Sequence, residues 1–371
     1  MLGGARSEAE IIALLERLRG QELVELRPVS RFAGQHEVVF HHALVRDAAY
    51  SMLTDDDRVA GHRVAAEWLE ARGETDSMVL AGHFEHGVEG VRAAPYWLRA
   101  ASASLEANDL DQALTLAERG ITCLAGQATV RSDIRGRLSL VQAQGHRWRG
   151  QLPDAKRAAQ AALDELAPAS AEALEAAEIL ILLSAKLGGD GLDELIERIL
   201  RTKPDRPAMV AYISVLCRIG TTFLFRGEHD RSMQPLAEAM RLAKELPVCA
   251  PTTTVFIHHA LALSAGVVGK WEEAARSFEM AVSNADRIGD IRVAAGMRVN
   301  LGDAYRNLGE YERAERLARE AIETAITLGL DHVRPLRRHQ PYRCAVGASQ
   351  LARTASMLRK RPRFSSAKVI T

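Results

Sequence analysis

The residue pair closest to a phosphate-binding loop is Gly269-Lys270. In the pattern GxxxxGK[ST], backbone amides cradle phosphates and the hydroxyl holds Mg²⁺. Trp271 stands where Ser or Thr is required, and no strand with an acidic partner precedes it. Protein-kinase signatures such as HRD and DFG are also missing from the sequence. We therefore interpret Gly269-Lys270 as a structural turn and predict that the chain is not an enzyme.

Histidines are the residues that could hold a metal ion. His83 and His86 stand one helical turn apart in HFEH, and adjacent pairs occur at 41–42 and 258–259. A zinc site needs three or four convergent ligands. HFEH lacks the HExxH pattern and has no Cys nearby, so we expect these histidines to pack locally. We predict no metal and no cofactor.

The composition predicts a helical protein. Hydrophobic residues make up 47% of the 371 residues but aromatics only 5%, which is typical of helices rich in Ala and Leu. Lys plus Arg and Asp plus Glu are 48 each, which excludes a globally basic nucleic-acid binder. The balance hides an acidic body and a basic tail, because residues 331–371 carry ten Lys or Arg and one acid.

The sequence predicts a cytoplasmic protein. Its four cysteines are widely spaced and form no CxxC pair, which is typical of thiols in a reducing compartment. No basic segment followed by an apolar stretch begins the chain, and no run of 18 apolar residues occurs. We expect no membrane span.

Residues 1–54 predict a small segment with one β-hairpin. EAEIIALLERLR has a helical apolar face, and ELVELRPV and HEVVFHH are β-prone runs on either side of Gly34. Further helices follow, one of them capped by Asp55, and residues 55–91 form linking helices. A helix followed by a hairpin resembles part of a winged-helix unit, which often binds DNA. Acidic residues lie among the basic residues of this segment, so we do not expect a nucleic-acid partner.

Residues 92–330 consist of helix pairs at a fixed spacing. Turns near 108 and 150 are 42 residues apart, turns near 227, 269 and 309 follow at 42 and 40, and one degenerate unit lies near 188. Small residues recur seven before and five after each turn, where two helices must approach closely. They are Gly302, Ala262, Gly220, Ala143 and Ala101 before it, and Ala314, Ala274, Ser232, Ala155 and Ala113 after it.

These helix pairs resemble the tetratricopeptide repeat. The last unit carries the family's pattern at Leu301, Gly302, Tyr305, Gly309, Tyr311, Ala314 and Ala321. The period of 40 to 42 residues exceeds the usual 34, and most units lack the closing proline. The resemblance implies an all-α right-handed superhelix of five or six hairpins behind the winged-helix-like segment. Function would then be recognition of a protein or peptide partner.

The N-terminal segment resembles the stretch that joins the nucleotide-binding core to the repeats in bacterial STAND-type ATPases. These signalling proteins are often fused to a serine/threonine kinase, a cyclase or a DNA-binding domain. The resemblance is carried by Phe40, His42, Leu44, Arg46, Ala49, Tyr50, Leu53, Arg58, His62 and Glu70. It implies a fragment that acts as a noncatalytic sensor and scaffold module, with a nucleotide-binding core as a possible neighbour. The alternative is a transcriptional regulator that binds DNA through the N-terminal segment.

The same resemblance places a partner-binding groove on the first helices of the pairs. Two middle units would supply an apolar lining and the last unit a polar rim, which suits an amphipathic helix or an extended peptide. The other interpretation is that superhelical packing buries the apolar members. The candidate residues are Leu224, Phe225, Phe256, His259, Leu263, Val267, Asp303, Arg306 and Asn307.

Residues 331–371 abandon the repeat spacing and contain Pro335, Pro341 and Pro362. Three interpretations stay open for this tail. It is disordered, or it is a frameshifted replacement for further repeats, or it is an arm that binds an anionic partner.

Overall fold

The computed structural model describes residues 7–126, 132–188, 190–246 and 251–328. Within these ranges the chain forms sixteen α-helices, one short 3-10 helix and one two-stranded sheet. It divides into two compact units. Unit 1 takes its residues from Met1–Ala103 and Thr115–Ile134, and unit 2 takes its residues from Ser104–Leu114 and Arg135–Thr371.

Unit 1 begins with the predicted helix and hairpin. A capping box starts the first helix, because the Ser7 side chain accepts from Glu10 N–H while the Glu10 side chain reaches back to Ser7. The hairpin pairs its strands antiparallel, with Val24 opposite Phe40. The elements are α1 (Glu8–Gly20), β1 (Val24–Leu26), β2 (Val38–Phe40), α2 (Ala43–Ser51), α3 (Asp55–Ala71) and α4 (Ser77–His86).

The start of α3 differs from the prediction by one residue. Thr54, and not Asp55, is the N-cap, and its hydroxyl accepts from the N–H of Asp57. Asp55 is the first helical residue, where its negative charge is favoured by the helix dipole. Sequence reasoning chose the acid because both residue types are good caps.

The repeat region consists of paired helices. The first pair is α5 (Gly90–Glu106) and α6 (Leu110–Cys123). The later helices are α7 (Ser132–Trp148), α8 (Leu152–Glu165), α9 (Ala171–Leu187), α10 (Leu192–Leu200), α11 (Met209–Phe225), α12 (His229–Glu245), α13 (Pro251–Val267), α14 (Trp271–Arg287), α15 (Ile291–Asn307) and α16 (Tyr311–Thr327). The 3-10 helix Arg206–Ala208 directly precedes α11.

The predicted turns between paired helices have a left-handed backbone. All six turn residues have positive φ, from 65° at Asn108 to 81° at Gly309. Only Gly, and to a lesser degree Asn, adopts this conformation at little cost, and it is a common way for a helix to end. The spacing of these residues in the sequence therefore marks the ends of the first helices in the array.

Small residues set the distance between paired helices in unit 2. Ala262 of α13 and Ala274 of α14 have no exposed surface. The contact between α11 and α12 leaves no room even for a methyl group, because a Cβ atom on Gly220 would lie 2.5 Å from Cγ of Leu236. The small positions predicted from the sequence are thus the places where the helices touch.

The most apolar helical stretch of the described residues is Arg206–Phe225. Its length and hydropathy alone would suit a membrane span. Most of its side chains are nevertheless buried against other helices of unit 2. This stretch is therefore a core helix.

The helix array of unit 2 closes on itself. The Asn108 side chain donates to the carbonyl of Leu328 at 3.5 Å, and Nη2 of Arg292 donates to the carbonyl of Leu105 at 3.2 Å. An apolar cluster lies at the same junction and contains Leu110, Val299, Ala321 and Ala325. The first turn of the array thus contacts its last helix pair.

Replacement of Gly220 by Ala tests the close helix approach. The added methyl group overlaps Leu236 and costs about 1–3 kcal/mol in the free energy of unfolding, measured by urea denaturation. Gly296 is the matched control, since it lies in α15 with open space around it. Its change to Ala leaves stability unchanged or raises it by up to about 1 kcal/mol. Equal stability of Gly220→Ala and the wild-type protein would contradict the close approach.

Candidate functional site

The predicted groove residues separate into a buried and an exposed set. Leu224 and His259 are buried, and Phe256 and Leu263 pack against the same core cluster as Leu224. Superhelical packing therefore buries Leu224 and His259 and covers part of Phe256 and Leu263. The other set, called the exposed set, consists of Phe225, Val267 and Asn307, which are exposed, and Asp303 and Arg306, which are half-buried.

The exposed set follows one edge of the array. Phe225, Val267 and Asn307 stand at the ends of α11, α13 and α15, in the last turn of each first helix. Phe225 is 42% exposed and Val267 43%. Asn307 donates to the Asp303 carbonyl at 2.7 Å, and Arg306 forms an ion pair with the Asp303 carboxylate at 3.2 Å. We call Phe225, Val267, Asp303, Arg306 and Asn307 the helix-end edge.

A buried ion pair lies between two first helices of unit 2. Glu178 of α9 accepts from the guanidinium of Arg218 of α11 at 3.0 Å and from the hydroxyl of Ser214 at 2.7 Å. Burial would raise the pKa of the Glu178 carboxyl, but the charges of Arg218 and Arg147 and the Ser214 bond hold it below its ordinary value. Both carboxylate oxygens of Glu178 thus accept hydrogen bonds, as the oxygens of a buried charge must.

More charged groups surround this pair on the inner side of the array. Burial, and then the charges of Arg147 and Arg218, lowers the pKa of Lys186 to about 8. Burial, and then the charge of Glu178, raises the pKa of Glu175 to about 7. The Glu175 side chain is nevertheless exposed. We call Arg147, Glu175, Glu178, Lys186 and Arg218 the inner charge cluster.

His259 and Asn300 continue the polar lining. Asn300 Nδ2 lies 3.3 Å from Nε2 of His259, and both residues are buried. Burial, and then the charge of Arg218, lowers the pKa of His259 to about 3. The imidazole is therefore neutral at pH 7 and accepts the Asn300 amide hydrogen.

The inner charge cluster and its surroundings hold groups of both signs. Four cations, Arg147, Lys186, Arg218 and Arg292, lie in one region, and Glu175, Glu178 and Asp290 supply negative charge.

Sequence reasoning missed the inner charge cluster. Its charged members stand one or two to a helix, and each looks like an ordinary surface charge on an amphipathic helix. A weak signal was present in α9, where Glu175 and Glu178 interrupt an otherwise apolar face.

His83 and His86, which the sequence analysis singled out, lie in unit 1. His83 Nδ1 is 3.0 Å from Nδ1 of His62, whose Nε2 is 2.8 Å from the Tyr50 hydroxyl. The ring of His86 stacks on His62 with centroids 4.9 Å apart. Burial, and then the charges of the neighbouring histidines, lowers the pKa of His62 and His83. Among the described residues, no three His, Cys, Asp or Glu side chains are placed to hold a metal ion.

Comparison with known proteins identifies the repeat type. Residues 295–334 match the family model described as tetratricopeptide repeat. The chain has a tetratricopeptide-repeat region. Such repeats generally bind proteins or peptides, so this region is a scaffold for protein–protein interaction.

Other comparisons add little. No curated protein matches the chain. Among solved structures, the chain is similar to the crystal structure of BtubC (BKLC) from P. vanneervenii, with 13% sequence identity and a TM-score of 0.30. That match covers 79% of this chain and 97% of the other.

The buried His259 makes the stability of the tetratricopeptide region depend on pH. The unfolded imidazole takes up a proton as the pH falls through about 6.5, whereas the folded one does so only near 3. Stability is therefore lost as the pH falls below about 6.5, with a slope from this residue of up to about 1.4 kcal/mol per pH unit. His259→Gln has a shallower slope in urea denaturation between pH 6.5 and 4.5.

The control for His259→Gln is His229→Gln. His229 is exposed at the start of α12, so its removal leaves the slope as in the wild-type protein. An unchanged slope in His259→Gln would show that His259 is not the group that titrates.

Proposed function

We propose that this chain is a noncatalytic sensor and scaffold module of a STAND-type signalling ATPase that acts in the cytoplasm. The tetratricopeptide match at residues 295–334 supports the binding role. The resemblance of the N-terminal segment supports the signalling context. In this proposal, the repeats bind a protein or peptide partner, and that event alters how a nucleotide-binding core packs on the N-terminal segment.

The observation that carries the binding role is the helix-end edge. Three successive first helices end with exposed side chains, two apolar and then one polar. An extended peptide gains affinity from apolar contacts and is positioned by a few polar groups. Phe225 and Val267 would supply the apolar contacts, and Arg306 and Asn307 the polar ones.

Unit 1 offers a surface for the neighbouring core. Leu44 is 83% exposed and Met52 is 85% exposed, at opposite ends of α2. Between residues 7 and 53, Val24 is the one described side chain that is buried. A segment with apolar residues and almost no core of its own is typical of a part that packs on another domain.

The DNA-binding alternative gains no support from the hairpin. Arg27 forms an ion pair with Glu37 at 3.1 Å, and Arg31 forms one with Glu74 at 3.3 Å. Cations that are already neutralised release few counterions from DNA, which is the source of most binding energy to the backbone.

Peptide selection tests the helix-end edge. Peptides enriched on the wild-type protein from a displayed random library are expected to bind Phe225→Asp at least about tenfold more weakly, a loss of about 1.4 kcal/mol, in fluorescence anisotropy. Met233→Asp is the matched control, because Met233 is also exposed but lies on α12, the second helix of the pair. Equal affinities of Phe225→Asp and Met233→Asp for the selected peptides would contradict the proposed edge.

The noncatalytic role predicts that this chain does not hydrolyse ATP. Trp271 replaces the Mg²⁺-binding hydroxyl, and Lys270 lies within 3.4 Å of Glu273 at the start of α14. Phosphate release from Mg·ATP is expected to equal the rate without protein. Turnover that is abolished by Lys270→Ala would show that the chain carries a hydrolytic site after all.

A further inference from the structure

Two arginines of unit 2 meet at one tryptophan. Arg147 is near the end of α7 and Arg292 near the start of α15. The Cζ atoms of Arg147 and Arg292 lie over the indole ring of Trp148, at 4.9 and 5.2 Å from its centroid. Stacking on an aromatic face holds a guanidinium while it leaves the N–H groups at its edge free to donate. We call Arg147, Trp148 and Arg292 the seam, because they join two distant helices where the array closes.

The guanidiniums of the seam have unused donors. Nη2 of Arg292 donates to the carbonyl of Leu105, but Nη1 is buried and has no hydrogen-bond partner. The guanidinium of the half-buried Arg147 makes no hydrogen bond and no ion pair with the described residues, and burial lowers its pKa. A buried donor without a partner is rare in proteins and points to a bound water, ion or ligand.

The carboxylates near the seam are already engaged. Both oxygens of Glu178 accept hydrogen bonds, one from Arg218 and the other from Ser214. Asp290 caps α15 by accepting from the N–H of Val293 at 3.0 Å. Lys186 adds a further positive charge to the same field. The seam and its surroundings therefore hold an excess of positive charge.

We propose that the seam is a binding site for the phosphate group of a small molecule. A doubly charged oxyanion matches the positive excess, and its oxygens accept from the paired N–H groups of two guanidiniums. A chloride ion would accept fewer hydrogen bonds and carry half the charge. Free phosphate and a nucleoside monophosphate share this chemistry.

Phosphate binding would connect α7 to α15 and stabilise the closed array. The seam lies apart in the sequence from the residues of the helix-end edge, and it takes a different ligand. The inference therefore goes beyond the proposed peptide-binding function and does not depend on it.

Thermal unfolding with inorganic phosphate tests the seam. At constant ionic strength adjusted with NaCl, phosphate is expected to raise the Tm of the wild-type protein saturably, by about 2 °C or more. Arg292→Gln is expected to need at least tenfold more phosphate for half the effect. Arg241→Gln is the matched control, since Arg241 is an exposed arginine of α12 paired with Glu238, and it responds as the wild-type protein does.

Two lysine variants and a second ligand complete the test. Arg147→Lys and Arg292→Lys keep the charge but lose the planar guanidinium, so both are expected to fold and to bind phosphate more weakly. Equilibrium dialysis with radiolabelled phosphate, with AMP as competitor, separates the two sources. If AMP displaces the labelled phosphate at a lower concentration than unlabelled phosphate does, the ligand is a nucleotide. If both displace it at the same concentration, the ligand is free phosphate. A Tm rise that chloride reproduces, or equal phosphate affinity in all variants, would overturn the proposal.

Discussion

The close approach of paired helices is the constraint on which the rest of unit 2 depends. Gly220 leaves room for Leu236, and alanines without exposed surface occupy the matching contacts in other pairs. Small residues at these contacts let two helices pack at a short distance along their whole length. Successive pairs then stack into an array, and the contact between Leu105 and Arg292 joins its first turn to its last helix pair.

Packing between successive first helices explains the electrostatics of the inner charge cluster. Charges that would face water on an isolated helix are brought opposite one another when α9 packs on α11. Glu178 of α9 and Arg218 of α11 form an ion pair and lose part of their hydration. Burial also lowers the pKa of Lys186 and raises that of Glu175.

The sequence predicted the turns and the contacts within a helix pair well, and the contacts between different pairs poorly. Turn residues and small residues have a local physical cause, so Gly227 or Gly220 could be recognised from spacing alone. The ion pair of Glu178 and Arg218 joins residues 40 apart on two neighbouring first helices, and how α9 packs on α11 decides that they meet. Leu224 was predicted for the groove from its place on a first helix, yet it lies in the core cluster. Leu224 is buried and the next residue, Phe225, is exposed, although both stand in the last turn of α11. The spacing of apolar residues does not distinguish these two positions.

Two surfaces of the first helices therefore have different properties. Their ends present Phe225 and Val267 to solvent, whereas Arg147 and Arg292 are half-buried and stack on Trp148. An anion that bridges α7 and α15 favours the closed array over any more open form. The spacing of the helix ends depends on how the array closes, because each end is fixed to its own helix. A peptide that prefers the closed spacing is then thermodynamically linked to the anion. The peptide strengthens anion binding, and the anion strengthens peptide binding by the same factor.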